Sequence, residues 1–179
     1  MMTAWMFGQK QEYVVMRKPS PPWWANSRGE WYVAVQLVLF ALIAAAPAVW
    51  GGQVDLPGQW AGVVSAFGVF CMAAGGMGGM IGVLQLGDNL SVFPRPKADG
   101  ELIQNGMYVL VRHPIYCGVI LGAVGWALYH LSPITLGLAG VLFVFFDIKS
   151  QREEAWLRQQ FPAYAAYQQR VKKLIPFIY

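Results

Sequence analysis

Charge is what this 179-residue sequence has least of: Lys and Arg number 13, Asp and Glu 9, and together they make only 12% of the chain. An ordinary soluble domain carries about twice that share. Hydrophobic residues make 56%, which excludes intrinsic disorder, since disorder requires low hydrophobicity and high charge. It also argues against a free-standing soluble enzyme, whose apolar surface would lack cover. Cysteine and histidine are scarce too, at two each, and Cys71 and Cys117 both sit in apolar runs. No disulfide framework or Cys/His zinc cluster can be assembled from them. No metal site and no nucleic-acid partner are expected.

What the chain has is long apolar runs. A transmembrane helix needs about 20 mostly apolar residues, and four stretches qualify: 31–50, the glycine-rich 60–86, 114–130, and a fourth that starts at Pro133 or Ile134 and loses its apolar character at Asp147. The third would be about 25 Å long at 1.5 Å per residue, short but within range. The expected fold is an all-α polytopic integral membrane protein of four transmembrane helices. The two-residue connection 131–132 folds the last two into a tight hairpin. All 13 basic residues lie in residues 1–30, in the loop 86–113 or after residue 148; the connections 51–59 and 131–132 hold none. By the excess of Lys and Arg on cytoplasmic loops, both termini and the long loop face the cytoplasm of a plasma or inner membrane. About 30 residues precede the first run, which is too long for a cleaved signal core, so it reads as a retained helix. Residues 1–30, with Trp5, Phe7, Tyr13, Trp23 and Trp24 among basic residues, suit an interfacial arm, as does the C-terminal segment. Residues 31–179 then form one membrane-embedded domain.

The second run carries Gly62, Gly68, Gly75, Gly76, Gly78, Gly79 and Gly82. Pairs such as Gly75/Gly79 and Gly78/Gly82 let helix backbones approach closely in lipid. Packing inside the bundle or a homodimer contact is the first expectation for them, and a flat wall against a ligand the second. Gly118, Gly122 and Gly125 repeat the theme in the third run.

The loop 86–113 is long for a connection between helices, and it alternates polar residues with Val92, Phe93, Leu102, Ile103, Tyr108 and Val109. A structured, functional loop is expected there. It ends in Arg112-His113-Pro114. Proline is pre-organised for the first helical position, which puts His113 at or near the N-cap. Free N–H groups, the helix dipole and Arg112 would make an anion site there, with a positive-inside anchor and a solvated cap as the plainer alternative. The fourth helix, if it runs to about Gln160, is roughly 10 Å longer than the hydrocarbon needs. Its protruding end carries Asp147, Lys149, Arg152, Glu153, Glu154 and Arg158. Spacing alone pairs Lys149 with Glu153 and Glu154 with Arg158 on a solvated face. The tight hairpin instead sets this acidic cluster opposite Arg112 and His113, a complement to a zwitterion bearing amine and carboxylate.

Gly106, Tyr108, Arg112-His113-Pro114, Tyr116 and Gly118, followed by Glu153-Glu154 and FPAYAAYQQRVKKLIPFI, give an arrangement that resembles the isoprenylcysteine carboxyl methyltransferase family in its short, bacterial-type form. The resemblance covers about the last half of the chain, from Leu86 on. It implies a membrane enzyme using S-adenosyl-L-methionine, with residues 86–179 as the cofactor-binding half. It further implies that Glu153 takes the donor's amino group, that Glu101, Leu102 and Ile103 pack on the adenosine, and that Tyr108, His113, Pro114 and Tyr116, with Arg112 beside them, complete the cofactor wall. Lys149 stands where the family tends to place an Arg that meets the substrate carboxylate, and Gly100 where enzymes acting on prenylated proteins commonly have His-x-Leu.

The implied reaction is displacement at a sulfonium methyl. An ionised carboxylate acceptor needs no base, whereas for an amine or thiol His113 or Glu154 are the nearest catalytic groups. The acceptor is expected to be lipophilic and to enter from the bilayer. An isoprenylcysteine-like carboxylate comes first, with phospholipid N-methylation, small-thiol S-methylation and a non-catalytic scaffold bound to membrane lipid as the alternatives.

Overall fold

Helix formation follows the apolar runs closely. The computed structural model describes residues 29–91, 93–97 and 99–179. The interfacial arm read at 1–30 lies outside them apart from its last two residues. The helices are α1 (Glu30–Val49), α2 (Gly58–Leu86), α3 (Pro114–Tyr129), α4 (Pro133–Gln160) and the short α5 (Tyr164–Arg170). Apart from one isolated parallel bridge between Val111 and Lys172, the described residues are helix, turn or irregular backbone.

Local chemistry sets the starts of α3 and α4. Each has proline in its first turn, where the missing N–H is not needed. Ser132 Oγ accepts from the Thr135 N–H at 3.3 Å, a side-chain cap for one of the free donors at that end. The connection between α3 and α4 spans only residues 130–132, so the two helices return on each other.

α1, α2 and α4 are long and apolar enough to cross a membrane, while α3, apolar throughout, has 16 residues. Their outward faces carry large exposed hydrophobics, among them Leu37, Phe70, Met77, Leu84 and Val144. Such a surface, spread along three helices, is covered by lipid rather than water. The protein is an integral membrane protein. The core joins α1, α3 and α4 through Leu39, Ile43, Ala123, Ala139, Leu142 and Phe146. At 28 residues, α4 is about 42 Å long; its apolar part closes near Ile148, and residues 149–160 extend beyond it.

The glycines of α2 are spent on α3. A Cβ added at Gly75 would lie 2.5 Å from the Gly118 carbonyl oxygen, and one at Gly68 would lie 2.6 Å from that of Gly125. Gly82 sits on the Pro114 ring, so the seam also fixes where α3 begins. The small-residue face is thus filled within one chain, while Gly62, Gly76 and Gly122 look into open space. Gly75→Ala should destabilise the folded protein by about 1–3 kcal/mol, because backbone rather than a flexible side chain must give way. Gly76→Ala, with nothing within 4 Å, should be nearly silent. Thermal unfolding of the two variants in the same detergent checks this, and equal behaviour would remove the seam from the account.

Candidate active site

Three segments meet at the N-terminal end of α3: the loop before it, the far end of α4, and the C-terminal stretch after it. The loop is built, not loose. Asn89 Oδ1 accepts from the Glu101 N–H at 2.7 Å, and Gln160 Nε2 donates to the Lys97 carbonyl at 2.7 Å. Gln85 Oε1 accepts from the Met107 N–H at 2.8 Å. Gly106 allows that contact: its φ is +58°, and an added side chain would collide with Gln85. From the other side the Arg112 and His113 N–H groups donate to the carbonyls of Lys172 and Lys173 at 2.8 and 3.1 Å. The C-terminal segment therefore clamps the Arg-His-Pro tripeptide. Lys173 in turn is anchored on Asp147, which also accepts from the Tyr179 hydroxyl at 2.8 Å.

His113 occupies the N-cap position of α3 in a non-helical conformation (φ −125°, ψ 67°), yet its side chain caps nothing. The imidazole is buried and turned to Glu154, with Nε2 at 3.1 Å from Oε1. Arg112 Nε donates to the same oxygen at 2.7 Å, and its Nη1 donates to the Gln168 and Val171 carbonyls. Gln168 Nε2 donates to the remaining Glu154 oxygen at 2.7 Å. This overturns the solvated cap and the surface pairing of Glu154 with Arg158, since Glu154 is 5% exposed and a buried guanidinium needs a buried counter-charge. Burial pushes the Glu154 carboxyl up, but the hydrogen bonds from His113 and Arg112 outweigh it and bring it down to about 2. An acid so committed holds its neighbours in place and is a poor proton acceptor.

Glu153 points elsewhere. Its Oε2 accepts from the Tyr116 hydroxyl at 2.8 Å and lies 3.9 Å from His113 Nδ1. Since Glu154 accepts at Nε2, the imidazole proton belongs on Nε2 and Nδ1 is left facing Glu153. The ring of Tyr116 stacks between those of His113 and Phe146, with centroids at 5.3 and 4.5 Å. Lys149 does not pair with Glu153 as its spacing suggested. Its Nζ donates to Gln36 Oε1 of α1 at 2.6 Å and lies 5.2 Å from the Tyr116 ring centre. Among the described residues no carboxylate comes within 4 Å of this cation, which is only 2% exposed.

These groups enclose a cavity of about 300 Å³. Of the residues singled out from sequence, Glu101, Leu102, Ile103, Tyr108, Arg112, His113, Pro114, Tyr116, Lys149 and Glu153 all line it. Glu154 is not on its wall.

The phospholipid methyltransferase profile matches residues 63–164. The chain belongs to this family. Curated relatives within reach of its sequence carry the name protein-S-isoprenylcysteine O-methyltransferase. One from Oryza sativa, named as probable, is 40% identical over 80 residues, covering 44% of this chain and 42% of that protein. The Saccharomyces cerevisiae enzyme is 36% identical over 86 residues, covering 47% and 36%. The matched part is thus well under two thirds of the length of those relatives. Among solved structures, a eukaryotic intramembrane Ras methyltransferase, isoprenylcysteine carboxyl methyltransferase, shares the fold with a TM-score of 0.60 at 22% identity, over 89% of this chain and 69% of its own.

Within this phospholipid methyltransferase family fold, several cavity residues went unread in the sequence. Gln36 had a signal, as a lone amide in an otherwise apolar run. Tyr164 and Tyr167 lie in the FPAYAAY stretch but drew no role. Leu157 and Phe161 of the α4 end and Asn89 and Pro94 of the loop also line the wall. Phe161 opens the FPAYAAY stretch, whereas nothing short of the folded chain marks Leu157, Asn89 and Pro94.

Proposed function

We propose that the protein is an S-adenosyl-L-methionine-dependent methyltransferase that esterifies the carboxyl group of a lipophilic, isoprenylcysteine-like acceptor. α3 serves as a fourth membrane span in a hairpin with α4, and both termini and the loop face the cytoplasm of a plasma or inner membrane. Residues 31–179 are one domain, of which 86–179 hold the cofactor. The observation that carries this reading is the pair of opposite, mutually unpaired charges on one cavity wall. Glu153 is partnered by a neutral hydroxyl, and Lys149 by a neutral amide.

The cavity fits the methyl donor by its donor set. Glu153 retains lone pairs for an ammonium, and the stacked His113 and Tyr116 rings, with Leu102, Ile103, Leu157 and Phe161, offer apolar and aromatic walls for a nucleoside. When bound, S-adenosyl-L-methionine supplies an electrophilic methyl on a sulfonium. Lys149, a buried cation lacking a counter-ion within 4 Å among the described residues, is suited to hold an acceptor carboxylate. That acceptor is already ionised at neutral pH, so the chain's contribution is orientation and exclusion of water rather than proton transfer. Glu154 acts as a positioning residue for Arg112 and His113. His113 Nδ1 would accept a proton only for an amine or thiol acceptor.

Purified protein in lipid nanodiscs, given labelled methyl donor and three acceptors together, tests the assignment. The acceptors are an S-farnesylcysteine carboxylate, phosphatidylethanolamine and an alkyl thiol. Label in a base-labile ester is the expected result. Label in the lipid amine or in a thioether would replace the carboxyl acceptor, and no transfer with no thermal shift on adding the donor would favour a scaffold.

A further inference from the structure

One buried group in the cavity wall is left over. The Tyr164 hydroxyl has no hydrogen-bond partner among the described residues, although the residue is 1% exposed. A phenol is ordinarily paired when buried, so an orphan on a cavity wall points to a partner that arrives with a ligand. Its neighbour on α5 shows the contrast: the Tyr167 hydroxyl donates to the Tyr108 carbonyl at 2.6 Å. α5 holds Tyr164 firmly, with its N–H bonded to the Phe161 carbonyl at 3.0 Å and its ring 5.7 Å from that of Tyr167. Burial, then the charge of Glu154, raises its pKa, with Arg112 opposing and Glu153 adding. The hydroxyl therefore stays protonated, and Tyr164 lines the same cavity as Arg112, His113 and Glu153.

A carboxylate bound there accepts several hydrogen bonds, and most of the side-chain donors around it are already committed. A zwitterionic ligand that gives its ammonium to Glu153 brings a carboxylate on the same carbon. Arg112, the cation the sequence offered for it, has Nε on Glu154 and Nη1 on two carbonyls, which leaves Nη2 of the guanidinium for a ligand and room for a second donor beside it. Lys149 is turned to Gln36. We infer that the Tyr164 hydroxyl donates a hydrogen bond to the carboxylate of the bound methyl donor's amino-acid part. The inference rests on reading the cavity as a methyl-donor site.

The test is calorimetric binding of S-adenosylhomocysteine and of its decarboxylated analogue to the purified full chain and to Tyr164→Phe. The variant should bind S-adenosylhomocysteine about tenfold more weakly or worse, and the decarboxylated compound within about twofold of the parent, since only the former offers a charged acceptor. Its unfolding temperature without ligand should be unchanged or higher, because an unpaired buried hydroxyl has been removed. Equal weakening for both compounds, or none for either, overturns the role. A lowered unfolding temperature with equal weakening would mark Tyr164 as structural. If the parent protein binds neither compound, the methyl-donor reading falls and this inference with it. If it binds both and the variant matches it, only the inference falls.

Discussion

Glu154→Gln should destabilise the folded protein by about 3–5 kcal/mol, a large part of the roughly 5–15 kcal/mol that holds a typical domain together. The substitution keeps the side chain's shape and leaves Arg112 without its counter-charge, in a place where the two side chains are 11% and 6% exposed. The guanidinium would keep the Gln168 and Val171 carbonyls, which compensate a dipole's worth and not a charge. Arg112→Met with Glu154→Leu should recover most of the loss, since removing both members of a buried pair is far milder than removing one. Denaturant unfolding of the two variants in micelles measures both effects. A loss under about 1 kcal/mol for the single change would show a pair hydrated like a surface bridge.

The same pair gives an acid limb to stability. The Glu154 carboxyl titrates at about 2 in the folded protein against 4.5 for the free group. A folded-state value below the unfolded one means that the stabilisation is complete above pH 4.5 and is lost as pH falls toward 2. In Glu154→Gln the stability profile over that window should flatten.

What could be read from the sequence divides along a physical line. Spans are written in long apolar runs, and the turn between α3 and α4 in Ser132-Pro133, because both depend on local composition. For Glu154 the chain's topology outweighs its spacing and sets it on Arg112 and His113: a spacing of four promises only a few tenths of a kcal/mol on an exposed helix, while burying Arg112 creates a demand many times larger. That demand is tertiary: it exists only once the C-terminal segment has clamped the Arg112 backbone on Lys172. Lys149 follows the same logic, turning from Glu153 to a Gln36 that lies 113 residues away. The candidate site was largely legible because its residues cluster in two short stretches, 101–116 and 149–154. The loop's internal order, held by Asn89 and Gln85, was not, because a single amide in a polar stretch gives no pattern to read.

Glu153→Gln, one residue along the same helix, should have the opposite profile. It should weaken binding of S-adenosylhomocysteine by roughly two orders of magnitude, since a charge pair shielded from water loses one partner. The unfolding temperature without ligand should scarcely move. The glutamine oxygen can still accept from the Tyr116 hydroxyl, which approaches Glu153 at 2.8 Å. No Arg or Lys lies within 4 Å of this carboxylate among the described residues, so its neutralisation strands no cation in the empty protein. With a side chain 26% exposed, Glu153 is hydrated until a ligand arrives, whereas Glu154 is sealed against Arg112. Calorimetry and thermal unfolding on the two single variants separate the roles. Retained affinity in Glu153→Gln, or a stability loss equal to that of Glu154→Gln, would deny that the helix end assigns one acid to the ligand and the next to the fold.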